Sequence, residues 1–299
     1  MVIKTNQTRY APLKDLNYQL MKLCKANRDG SYSTQATRRR ILDRIANQLH
    51  ELGYKHMQAK SLKPKHVEAL ISLWKDQGLS VGTLKNRLSA LRWWAKHVGK
   101  PDIIPKDNDA LDIGKRSQVA TESKAWELRE THLNKVSNEY VRLSLRLQAA
   151  FGLRREEAIK FRPNYAIKDD HIKLKPTWTK GGRARTVPIR TDEQRRLLEE
   201  VKKLAKGGAL IPPNQNYIEQ RNRYDRQIRT AGIKNPHGLR HNYALRRYEE
   251  ETGWKAPVAG GPASKSLNKD QRARDKGARK TISRELGHDR ISIARDYLG

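Results

Sequence analysis

Apolar positions between Thr34 and about Gly99 recur at the three- and four-residue spacing of helices that pack by one face. Ile41, Ile45, Leu49 and Leu52 predict one such helix, entered through the polar Ser33-Thr34 pair. A second is predicted over Lys65–Trp74, with Pro64 just ahead of it, where a missing N–H does no harm because the first turn leaves that donor unbonded; Gly78 closes it. A third starts near Ser80-Val81-Gly82-Thr83 and carries Leu84, Leu88, Leu91, Trp94 and Val98 at helical spacing. Lys85, Arg87, Arg92 and Lys96 lie among them, so this helix is expected to bury one face and offer another to phosphate. Leu13 to Lys25 also reads as helical, which makes the first third, residues 1–100, an all-helical unit.

The period then fails. Residues 101–121 hold Pro101, Pro105, Gly114 and several Asp and Asn residues without a sustained apolar pattern, and read as a linker. A second domain, 122–299, follows, and Val141, Leu143, Leu145, Leu147 and Ala150 predict a buried helix ending at Phe151-Gly152. From Tyr165 to Ile189 the pattern shortens to strand-like runs, with Ile167, Ile172, Leu174, Trp178, Val187 and Ile189 broken by Asp169-Asp170 and Gly181-Gly182. Helices resume at Thr191, three residues before Gln194 in a capping-box pattern, then at about Tyr217 to Thr230, and again from Pro236. Between 254 and 279, Pro257, Gly260, Gly261, Pro262 and Gly277 alternate with Lys265, Lys269, Arg272, Arg274 and Lys276, which reads as a basic loop or insertion. The fold class expected is mainly α with a small antiparallel β-sheet: a helical domain followed by a mixed α+β domain.

Charge narrows the partner. With 63 Lys plus Arg against 32 Asp plus Glu, the 299-residue chain carries a formal charge of +31, and such an excess repels itself unless a polyanion neutralises it. Six Trp, eleven Tyr and a hydrophobic content of 36% provide for real cores, unlike a basic tail. The single Cys24 excludes an intramolecular disulfide and a Cys-clustered zinc site, and points to a reducing cytoplasmic setting. No run approaches the roughly 18 apolar residues of a membrane helix, and Met1-Val2-Ile3-Lys4 opens no signal-peptide core.

Candidate chemistry gathers late in the chain. His237-Gly238-Leu239-Arg240-His241 is followed by Leu286-Gly287-His288 and, nine positions on, by Tyr297. His237 and His241 have the spacing of a metalloprotease helix, but Gly238 stands where the Glu base is needed. Each piece alone has an ordinary reading: Arg154 and Arg155 as surface charges, Glu157 as a helical partner of Arg154, Lys180 as a solvated hairpin charge, Tyr297 as an aromatic covering a core edge. Taken in order, Gly152-Leu153-Arg154-Arg155-Glu156-Glu157, Thr179-Lys180-Gly181-Gly182, the His237 to Arg240 box, and His288 with Tyr297 resemble the tyrosine recombinase (phage integrase) family. The stretch Gly78-Leu79-Ser80-Val81-Gly82-Thr83-Leu84 looks like part of that family's core-binding domain.

The resemblance implies roles for the matching positions. Arg154 and Arg240 would clamp the scissile phosphate, Lys180 would protonate the departing 5′ oxygen, and Tyr297 would be the nucleophile. His237 would assist proton transfer, His288 would hydrogen-bond the phosphate, and Glu157 would support Arg154, with His241 structural. Lys85, Arg87, Arg92 and Lys96 are the DNA-contacting candidates. The implied enzyme is the integrase of a phage or other mobile element, acting without metal, ATP or cofactor on a double-stranded attachment site. A homotetramer on synapsed DNA and a cytoplasmic location, nucleoid-associated if the host is bacterial, are expected with it, and accessory DNA-bending proteins are candidate partners. A type IB topoisomerase and a non-catalytic architectural or regulatory DNA-binding protein are the alternatives. The His241 to Leu286 spacing is roughly 20 residues longer than the family's, as an inserted loop would make it. Only Leu298 and Gly299 follow Tyr297, so its helix is expected to be held by the inserted loop, by DNA or by another subunit.

Overall fold

A computed structural model of the chain describes residues 15–115, 119–288 and 290–299. Leu13 and Lys14 of the first expected helix, and Met1 to Lys4, lie outside the described residues. The chain forms two compact units, residues 1–116 and 117–299.

In the first unit, α1 spans Asp15–Ala26 and α2 spans Tyr32–Glu51. Helix α2 begins two residues earlier than the polar pair predicts, because the Ser31 hydroxyl accepts a hydrogen bond from the Thr34 backbone N–H at 3.2 Å. Helix α3 (Pro64–Asp76) starts on its proline, and α4 (Val81–His97) on Ser80, whose hydroxyl accepts from the Thr83 N–H at 3.3 Å. Leu20, Leu42, Ile45, Leu49, Leu70, Leu88 and Leu91 are fully buried together with Trp74 and Trp94. The indoles keep their polar ends satisfied: Trp74 Nε1 donates to Gln48 Oε1 and Trp94 Nε1 to the Ala59 carbonyl, both at 2.9 Å.

Burial departs from the sequence expectation at two places here. Within the stretch expected to be a linker, Ile104 and Ile113 pack into this same core, joined by short 3₁₀ turns at Pro101–Ile103 and Asp109–Leu111. Of the four basic residues assigned to a DNA-facing side of α4, Arg87 is buried with its guanidinium 5.1 Å from the Trp74 ring centroid. Arg92 donates from Nε and Nη2 to the Pro105 carbonyl and from Nη2 to Asn108 Oδ1. A periodicity count assigns Arg to the polar face, whereas its long stem here covers apolar surface. Lys96 is exposed and Lys85 half-buried.

The second unit opens with an irregular stretch, 119–129, and a short α5 (Glu130–Leu133). Helix α6 (Glu139–Phe151) is capped by Asn138 and ends at Gly152, whose φ of 62° is the left-handed turn that glycine adopts without strain. Short helices α7 (Arg155–Ile159) and α8 (Pro163–Ala166) lead into the hairpin of β1 (His171–Leu174) and β2 (Arg185–Pro188). These strands pair antiparallel with Ile172 opposite Val187 and Leu174 opposite Arg185, and are the one sheet among the described residues. Helix α9 (Asp192–Ala205) carries the predicted Thr191–Gln194 capping box, and α10 covers Tyr217–Thr230 as the pattern indicates.

Helix α11 spans Gly238–Thr252 and α12 spans Lys269–Glu285; α13 (Arg295–Leu298) holds Tyr297. The basic stretch 254–279 is therefore loop only as far as Asn268. The Asn268 side chain caps α12, and Gly277, which suggested a break, lies inside the helix, where tertiary packing outweighs the roughly 1 kcal/mol that an interior glycine costs. Two apolar clusters organise this unit, and α6 belongs to both. Leu147 and Phe151 face Phe161, Val187, Tyr243 and Tyr297, while Val141 and Leu145 face Val136, Tyr224 and Leu239.

Candidate active site

Everything in the site is arranged around Arg240. It stands in the first turn of α11 with its side chain fully buried, beside the end of α6 and the turn after α12. Nη1 donates to the Gly152 carbonyl at 2.5 Å, and Nη2 donates to the Leu286 carbonyl and to His288 Nε2, the latter at 3.3 Å. Nε donates to the Tyr297 hydroxyl at 3.3 Å. Burial, with neighbouring Arg154 and Arg185, lowers its pKa to about 10, still well above neutrality, so it remains a cation. The close approach of α6 and α11 explains Gly152: a methyl there would lie 2.6 Å from Tyr243 Cδ1.

Arg154 caps α7 two residues beyond that glycine. Its N–H donates to Glu157 Oε2 at 2.7 Å and its Nη1 to Oε1 at 2.9 Å. Glu157 is fully buried and also receives a bidentate pair from Arg185, Nη1 to Oε1 and Nη2 to Oε2, each 2.7 Å. Burial works to raise the Glu157 pKa, yet Arg185, Arg240 and Arg154 hold it down at about 2. The carboxylate is thus a fixed anion that orders two guanidiniums and neutralises part of their charge.

Three imidazoles surround the phenol. The His241 ring lies 4.5 Å from the Tyr297 ring at a 35° tilt; His288 is 5.6 Å and His237 6.5 Å away. Burial lowers all three pKa values, reinforced by Arg240 and Arg154 at His237 and His288 and by His237 and Lys124 at His241, to about 4 for His241 and about 3 for His288. They are neutral at pH 7. Because His288 Nε2 accepts from Arg240, the neutral ring carries its proton on Nδ1. His237 keeps the most solvent exposure and is the imidazole of this group open to an incoming substrate.

The Tyr297 helix is held by the segment expected to be an insertion. Arg279 of α12 donates from Nη1 to the Gly299 carbonyl at 2.8 Å and from Nε to Asp275, whose Oδ1 also accepts from Tyr248 at 2.5 Å. A methyl on Gly299 would meet Val258 at 3.1 Å, and Leu298 is buried in the same cluster as Ala256. On the other side, the Ala120 N–H donates to the Arg295 carbonyl at 3.0 Å.

Arg154, Glu157, His237, Arg240, His288 and Tyr297 are brought together as the sequence indicates. Lys180 is not: it is exposed at the hairpin turn, and among the described residues no contact joins it to the cluster. Sequence reasoning missed Arg185, although its parity with Val187 and Ile189 placed it on the inward face of β2. It also missed Glu285, whose carboxylate accepts from Tyr243, Arg247 and Arg190 directly beneath the Leu286 turn. Among the described residues no group of three or more His, Cys, Asp or Glu is placed to hold a metal ion, and no helix is long and apolar enough to cross a membrane. Chemically, the cluster offers cations for a phosphate, neutral proton acceptors and a phenol.

The chain matches the family models "phage integrase, N-terminal" over residues 13–104 and "integrase" over residues 113–246. Its fold is similar to XerH site-specific recombinase bound to palindromic difH substrate in a post-cleavage complex, with 20% identity and a TM-score of 0.58 over 95% of this chain and 81% of that one. A lambda integrase dimer bound to a COC′ core site aligns with 16% identity and a TM-score of 0.61, covering 95% of this chain and 77% of that one. The Tn1549 transposon integrase in complex with circular intermediate DNA aligns with 15% identity and a TM-score of 0.54 over 95% of both chains. At these identities the likeness speaks to the fold. No curated protein matches the chain.

Proposed function

The chain belongs to the tyrosine recombinase (phage integrase) family and is a site-specific DNA recombinase of that class, and from that premise we propose that it cleaves and rejoins strands through a covalent 3′-phosphotyrosyl intermediate on Tyr297. The observation that carries this reading is the Tyr297 hydroxyl resting 3.3 Å from Nε of a fully buried arginine whose other donors are fixed. A phenol has an ordinary pKa of about 10 and needs a positive field or a base to become a nucleophile. Arg240 supplies the field and the neutral His237 accepts the proton.

The reaction exchanges one phosphoester for another. Tyr297 Oη attacks phosphorus, its proton passes to His237, and the bond from phosphorus to the 5′ oxygen breaks. That oxygen leaves with a proton from the Lys180 ammonium. The transition state carries one more negative charge than the diester, so Arg154 and Arg240, ordered before substrate arrives, stabilise it more than the ground state. His288 adds an Nδ1–H donor to a phosphate oxygen. Because the ester bond is conserved, rejoining to a different strand needs no external energy source. Exchange of two duplexes requires four cleavages, hence four active sites, and a lambda integrase tetramer bound to a Holliday junction is among the similar structures. We assign the chain to a mobile element, with a double-stranded attachment site as substrate and a homotetramer as the working assembly.

A nicked suicide substrate of the attachment site tests this reading. The wild-type protein is expected to become covalently attached to DNA, and Tyr297→Phe to give no adduct while still binding. An adduct that persists in Tyr297→Phe overturns the choice of nucleophile, and absence of any adduct on cognate DNA favours an architectural DNA-binding protein. Supercoil relaxation without strand exchange between two sites favours the topoisomerase alternative.

A further inference from the structure

Arg185 begins β2, at the point where the chain re-enters the sheet after the Lys180 turn. Its side chain is buried and all three nitrogens are used: Nη1 and Nη2 on Glu157, and Nε on the Glu285 carbonyl at 2.8 Å. One residue thus ties the base of the hairpin to the helix that presents Arg154 and to the end of the helix that leads into the Leu286 turn. The fit is specific to a thin neighbour, since a methyl on Gly287 would lie 2.8 Å from Arg185 Cδ, and Gly287 has a φ of 69°. Lys180, five residues earlier, has no hydrogen bond or ion pair among the described residues, so the sheet and this arginine set where its ammonium can reach.

We propose that Arg185 is a positioning residue that docks the Lys180 hairpin onto the Arg154–Glu157 pair, bringing the proton donor into register with the phosphate clamp. The inference rests on the reading that Lys180 protonates the 5′ leaving oxygen. Arg185 itself neither gives nor takes a proton. A hydrated, compact ammonium cannot replace its planar fork on both carboxylate oxygens and the Glu285 carbonyl together, so Arg185→Lys should keep the charge and lose the registration.

The test compares two nicked suicide substrates with the full-length protein: ordinary DNA, and DNA with sulfur in place of the bridging 5′ oxygen at the scissile phosphate. The thiolate departs without a proton, so a defect in proton donation disappears on the sulfur substrate. Arg185→Lys is expected to cleave ordinary DNA at least about tenfold more slowly, yet stay within about threefold of wild type on the sulfur substrate. Combined with Lys180→Ala it should add little further loss, because both changes remove one function. Equal slowing on both substrates would overturn the proposal by placing Arg185 on the clamp alone, and so would full activity of Arg185→Lys. Should Lys180→Ala show no recovery on the sulfur substrate, the acid assignment itself falls, a signature distinct from failure of Arg185→Lys alone. A second measurement uses the unmodified protein. Hydrogen exchange is expected to be slow at the Arg185 and Val187 amides, which face β1, and fast exchange there would overturn the anchoring.

Discussion

A charged side chain in this protein is defined by what holds it. Arg87 and Lys96 share one helix and one sign, yet Arg87 lies over Trp74 with its Nη1 unpaired while Lys96 stands in solvent. Arg87→Met is therefore expected to leave the DNA affinity and its salt slope unchanged and to hold or raise the melting temperature, because a buried unpaired donor is costly. Lys96→Ala should reduce the salt slope by about one, as loss of a phosphate contact does; titration of binding against salt checks both. The imidazoles around Tyr297 set a pH window. With His241 held down at about 4 and His288 at about 3, against an unfolded value of about 6.5, the unfolded chain binds more protons below pH 6.5. The stability they carry is complete above that pH and drains as pH falls toward their folded values, at up to about 1 kcal/mol per pH unit for the pair after allowing for partial solvent screening. Glu157, at about 2, adds its own loss only below its unfolded value near 4.5. Thermal melts should therefore be level from pH 7.5 to about 6.5 and decline from there to pH 5, and His288→Gln should lessen the decline; a level melting temperature down to pH 5 would contradict the neutral imidazoles.

Among the secondary-structure elements, α12 does two jobs: Glu285 at its end takes hydrogen bonds from three surrounding side chains, and Arg279 in its middle pins the carbonyl of Gly299. Arg279→Leu should thus release α13 and slow covalent adduct formation by an order of magnitude or more, with DNA binding retained, which single-turnover cleavage and a binding assay separate. Gly152→Ala should damage both stability and cleavage. It strains a left-handed residue by about 1–2 kcal/mol and drives a methyl into Tyr243 beneath the carbonyl that Arg240 uses; chemical denaturation measures the first effect. Helices with strong local signals were legible, as Thr191 with Gln194 and Ser80 with Thr83 demonstrate, because capping and periodicity are properties of neighbours in sequence. The helix from Lys269 was hidden by Gly277 and by seventeen residues dominated by charge, and it exists because Ala278 and Ile282 are buried against the rest of the unit. The site was legible as residues with family roles. Its supports were not, because a backbone carbonyl at 152 or a carboxylate at 285 becomes meaningful only when distant segments meet.

Over the whole molecule, an excess of +31 charges is the quantity that a partner must meet. Binding to DNA is expected to weaken by roughly a thousandfold or more between 50 and 200 mM salt, as for a protein making at least six phosphate contacts; a shallow dependence would mean that few of these cations face the duplex. Each unit also has a core of its own, with Leu20, Trp74 and Trp94 in the first and Phe151, Tyr243 and Tyr297 in the second. A fragment beginning at residue 117 is expected to fold and to retain slow cleavage at high DNA concentration, measurable with the same suicide substrate. The anchoring of Arg240 carries one more implication. Its firmest partners are the carbonyls of residues 152 and 286, main-chain groups that owe nothing to the neighbouring side chains, provided that residue 152 stays a glycine. The position of the central cation is thereby insulated from substitutions outside Gly152, so side chains and surface charge can change around it while the guanidinium stays in the same place.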